Sequence, residues 1–76
     1  MRSARQTQEL DINGWRVKLI SSWIDEFYLA EVEAASSAAT IAIAIGHRQE
    51  EAEREALEIA TRRLLRARQF DLTVGG

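Results

Sequence analysis

Apolar and polar residues alternate through the first half of the chain and recur at helical spacing in the second, with the change of period near Gly46. Thr7 to Ile12 and Trp15 to Ser22 alternate on either side of Asn13-Gly14, a dipeptide that accepts two successive left-handed residues and so favours a type I′ hairpin. That turn sets Ile12 opposite Trp15, Leu10 opposite Val17 and Gln8 opposite Leu19, with Asp11 against Arg16 and Glu9 against Lys18 on the other face. A turn over Trp23 to Glu26 would then place Lys18 against Glu31, Arg16 against Glu33 and Val17 against Val32. Two charge rows result, Glu9-Lys18-Glu31 and Asp11-Arg16-Glu33, and opposite charges in such rows favour one register over its neighbours. Phe27 to Ala35 and the β-branched run Thr40 to Ile45 are the third and fourth strands, joined by a turn containing Ser36-Ser37.

Short connections and the absence of Pro predict an antiparallel meander. Its inner face is expected to run from Leu10 and Ile12 through Trp15, Val17, Leu19, Tyr28, Ala30 and Val32 to Ile41, Ile43 and Ile45. Such a face must be covered. The cover is a helix over 48–68, because Ala52, Ala56, Ile59, Ala60, Leu64 and Ala67 fall on one arc. Glutamates crowd its first half and arginines its second, which complements the helix dipole, and Glu50 with Arg54 and Glu58 with Arg62 are spaced for pairing. Gly46 or His47 is the expected N-cap, with Glu50 as the returning side chain. The fold class is therefore α+β: a four-stranded antiparallel meander covered on one face by a single C-terminal helix, a two-layer sandwich. One domain spans 1–76, with an arm at 1–6, strands within 7–45, the helix at 48–68 and a tail at 69–76.

With 76 residues, no Cys and one His, the chain has neither disulfides nor a His/Cys metal cluster to reinforce a small core, so a partner or a second copy is expected to matter. No charged-then-apolar leader and no long apolar run is present, so the expected location is cytoplasmic, without a membrane. A net charge of -2 is too balanced for nonspecific nucleic-acid binding.

Candidate chemistry follows from the faces. The expected register leaves Ile20, Phe27 and Leu29 on the outer side of the sheet with Trp23 and Ile24 on the adjoining turn, a cluster of the kind that anchors protein partners. The fourth strand presents Thr40, Ala42 and Ala44 outward at an uncharged edge open to strand pairing. The alternating tail from Phe70 to Val74 could cover either surface instead. Arg62, Arg63, Arg66 and Arg68 form an alternative phosphate-binding patch, although dipole complementarity explains the clustering without a ligand and is the favoured reading. His47 lacks the nucleophile or carboxylate pair that acid-base catalysis would need, so no catalytic residue, cofactor or metal is assigned.

From Glu26 to Leu65, and most clearly over Gly46-His47-Arg48-Gln49-Glu50-Glu51-Ala52, the chain resembles the strand-strand-helix part of HicB-like antitoxin domains, in which a strand-ending Gly precedes an acidic, Ala-rich helix. That resemblance implies an inhibitor of a toxin nuclease. In size and plan the chain is also similar to small phage inhibitors, anti-CRISPR proteins among them. The expected function is a non-enzymatic inhibitor or adaptor of mobile-element type that occludes a partner's surface. The partner is a protein, a nucleoprotein complex or a second copy, and the alternative is a nucleic-acid-binding module.

Overall fold

Asn13 (φ 51°) and Gly14 (φ 89°) adopt the left-handed conformations that the first hairpin requires, so β1 (Arg5–Ile12) and β2 (Trp15–Ile24) meet in the expected register from Ile12 with Trp15 to Gln8 with Leu19. The structure is a computed structural model that describes residues 5–75, with side chains through Ala67. β3 (Phe27–Ala34), β4 (Thr40–Gly46) and α1 (Gln49–Gly75) complete it. The strands lie in the order β1-β2-β3-β4, all neighbours antiparallel, with α1 packed on one side. This is the α+β meander with a single helical cover.

The second hairpin is tighter than expected. Asp25 takes φ 54°, and the turn is Asp25-Glu26 alone, with Ile24 opposite Phe27. An aspartate tolerates the left-handed region, so the strands continue two residues further than a turn over Trp23 to Glu26 would allow. The β2–β3 register moves by two: Lys18 faces Glu33, Leu19 faces Val32 and Ile20 faces Glu31. A shift of two preserves the face of every side chain but breaks the expected rows. The row that forms is Glu9-Lys18-Glu33, while Arg16, which has no acid opposite it on β3, approaches Glu9 at 3.6 Å.

β4 overturns one assignment of faces. Val32 is opposite Ala42 and Glu33 is opposite Thr40, so Ile41 is an extra, bulged residue. Beyond the bulge Ala42 and Ala44 point to the helix, with Ile43 and Ile45 on the outer face. The helix explains the choice: Ala52, Ala56 and Ala60 are fully buried, and an alanine-lined helix settles so close to the sheet that alanines, not isoleucines, fit opposite. Leu64 ends the buried stripe, Ile59 packs partly against the core, and Ala67 is exposed.

At the other end of α1 the approach is equally close. A Cβ on Gly46 would lie 3.0 Å from the backbone nitrogen of Ala52 and 3.1 Å from Cβ of Glu51, so glycine ends β4 where the helix begins. Neither Gly46 nor His47 is the N-cap. Arg48 supplies the carbonyl that Ala52 N–H donates to (3.1 Å), and Glu51, in place of Glu50, accepts from His47 N–H (3.3 Å). The helix continues through the segment expected to be a tail, so residues 69–75 add no strand to either the outer face or the β4 edge. β1 likewise starts within the expected arm. Ion pairing among the described residues is that of Arg16 with Glu9, not of the helical pairs Glu50–Arg54 and Glu58–Arg62.

The β3–β4 loop stores a small strain. Ala38 has φ 61° and its N–H donates to Ala34 O at 2.8 Å, which holds an alanine in a conformation that glycine adopts without penalty. Ala38→Gly is expected to raise stability by about 0.5–1 kcal/mol. Urea melts would read this directly, and a loss of stability would show that the loop relaxes into another turn.

Candidate protein-binding surface

The pairing of the four strands places the outer-face side chains in rows. Ile24 and Phe27 lie at the turn end; the next row runs Arg5, Ser22, Leu29 and Ile45, and the next Thr7, Ile20, Glu31 and Ile43. Glu9, Lys18, Glu33 and Thr40 follow. The face is thus divided along the strands into an apolar half beside the Asp25-Glu26 turn and a charged half beside the Asn13-Gly14 turn.

Within the apolar half Phe27 is 44%, Ile24 49%, Ile43 50% and Ile45 62% exposed, around a half-buried Leu29. Ile20 is 6% exposed yet lies outside the helix-side core. Phe27 also meets the His47 ring at 5.4 Å, tilted by 42°. Together these side chains expose an area of order 400 Å², the size at which a patch on a monomer commonly proves functional.

Four of the five residues expected here, Ile20, Ile24, Phe27 and Leu29, are brought together. Trp23 is not. It stands opposite Tyr28 on the helix side, 45% exposed, where with Gln6, Ser21, Ser22 and Gln49 it lines a cleft of about 90 Å³. The cleft floor is a polar network: Ser21 Oγ donates to Glu53 Oε2 (2.7 Å), and Gln49 Nε2 donates to the same oxygen (2.9 Å) and to Gln6 Oε1 (2.8 Å). Ser21 is 4% exposed and fully satisfied, so this network ties the first helical turns to β1 and β2.

Ile43 and Ile45 belong to the surface although the sequence pattern placed them inside. Conversely, Ala42 and Ala44 are 1% and 7% exposed under the helix and cannot serve as an outward edge surface; only Thr40 remains exposed. The edge itself carries the Ile41 bulge, a feature that discourages strand pairing, and Arg63 Nη1 donates to Ile41 O at 2.7 Å. That bond engages one of the four arginines assigned to phosphate. Arg62 and Arg66 are exposed, and the Arg68 side chain lies outside the described residues.

Among the described residues no group of three or more His, Cys, Asp or Glu side chains is placed to hold a metal ion, and no helix is long and apolar enough to cross a membrane. Comparison with protein-family models, curated proteins and solved structures finds no match.

Proposed function

We propose that the protein acts by binding rather than by catalysis, as a small inhibitor or adaptor of mobile-element type that occludes a partner protein's working surface with the helix-free face of its sheet. The supporting observation is the exposure of Ile24, Phe27, Ile43 and Ile45 around Leu29 on a face that no other element covers among the described residues. Glu31 lies within the patch and Asp25 and Glu26 border it, so the fitting partner presents apolar side chains ringed by basic ones. The resemblance of the stretch from Glu26 to Leu65 to HicB-like antitoxin domains, and the likeness in plan to small phage inhibitors, are in keeping with this reading. The phosphate-binding alternative is weaker, because Arg63 is engaged by the backbone and five glutamates share the helix.

The test is an affinity measurement on a partner co-purified from the native host. Phe27→Ala is expected to weaken binding by about 2 kcal/mol, roughly 30-fold, without shifting the melting temperature, as removal of an aromatic anchor does. Trp23→Ala, on the other side of the sheet, should leave binding intact. A steep logarithmic salt slope together with loss of binding in Arg62→Glu/Arg66→Glu would overturn the reading in favour of a nucleic acid.

A further inference from the structure

Two of the outer-face rows of β2 and β3 are reciprocal, and they point to a second occupant for the surface just proposed. Along the boundary between these strands, Ile24 stands beside Phe27 and Lys18 beside Glu33. A two-fold axis running along that boundary lays β2 of one molecule on β3 of another with the rows unchanged. Each Ile24 then covers a Phe27 of the second copy, and each Lys18 covers a Glu33. On the rows between, Ile20 falls on Glu31 and Ser22 on Leu29, and on the flanking strands Ile43 falls on Thr7 and Ile45 on Arg5, whose aliphatic stem can cover an apolar side chain.

A further observation favours a second copy. Lys18 and Glu33 are half-buried and opposite each other, yet neither closes an ion pair within the chain among the described residues, so both charges are available across an interface. Area sets a condition on the arrangement. A standard stable interface covers about 800 Å² per partner, roughly twice the apolar patch alone, so the charged half of the face must take part. In the two-fold arrangement it does. Two sheets stacked about 10 Å apart with nearly aligned strands form an ordinary sandwich interface.

We propose that the free protein is a two-fold dimer closed through its outer sheet faces, and that a partner must displace the second copy to reach the same surface. This rests on the outer-face reading and adds its regulation: dimerisation masks the binding face, and dilution or a tighter partner exposes it.

Sedimentation equilibrium and light scattering test the dimer, beside circular-dichroism melts that monitor the fold. The wild type is expected to be dimeric at micromolar concentration. Lys18→Glu and Glu33→Lys should each weaken the dimer about tenfold or more, and the double variant Lys18→Glu/Glu33→Lys should restore it, because exchanging both charges preserves complementarity across the axis. Lys18→Glu should also bind the co-purified partner at least as tightly as the wild type, since the competing copy is removed. A wild type that stays monomeric up to millimolar concentration would overturn the inference while leaving the Phe27→Ala partner test standing. A dimer insensitive to either charge reversal but lost in Phe27→Ala would overturn the stated two-fold arrangement and retain the outer face as the contact.

Discussion

Ala56→Leu should lower stability by about 1–3 kcal/mol, because the helix axis has no room to retreat without abandoning its neighbours. Ala56 is fully buried between the equally buried Ala52 and Ala60, and the sheet beneath offers Ala30, Ala42 and Ala44. Three added carbons cannot be absorbed by rotamer changes, since alanines have none to make; the helix must lift, and Leu64 and the Gly46–Ala52 contact would open with it. Glu58→Leu, on the exposed side of the same helix, is the control and should change stability by less than about 0.5 kcal/mol. Equal shifts for the two in denaturant melts would mean that the buried stripe is not the one described.

Breaking the polar tie at the helix start should have a comparable effect. Glu53→Leu removes the acceptor for Ser21 Oγ and one of those for Gln49, leaving the hydroxyl of a residue only 4% exposed without its carboxylate, at an expected cost of about 1–3 kcal/mol. Adding Ser21→Ala should recover part of that loss, because removing both polar partners costs less than stranding one. A double-mutant cycle measures the coupling. Strict additivity would show that the Ser21–Glu53 bond contributes nothing to stability.

The sequence was most legible where local chemistry and charge pairing agreed. Asn13-Gly14 alone determines the first hairpin, and apolar and charged pairs on its two faces confirm the register. The second hairpin was harder to read, because Asp25-Glu26 is a less distinctive turn and the charges at 31 and 33 are both glutamates, so Lys18 finds an acid in either register. The inner faces of β2 and β3 survived because the slip was even. β4 was illegible for another reason: isoleucine and alanine are both apolar, and alternation cannot say which set is buried. The assumption that larger side chains fill the core failed because the facing helix stripe is itself alanine. Trp23 was drawn to the wrong face by the position assigned to the turn. The helix end was misread because Phe70 to Val74 alternates like a strand, although no Pro or Gly interrupts the chain between Arg68 and Val74.

The alanine layer also shapes how the molecule responds to temperature. Alanine loses no rotational freedom when buried, so closing α1 on β3 and β4 carries little side-chain entropy cost. It also exposes little apolar surface when released. The heat-capacity increment of unfolding scales with that exposed surface, and a small increment flattens the curve of stability against temperature. A core built this way gains little from hydrophobic burial at any one temperature, and in return its stability changes slowly across the whole range.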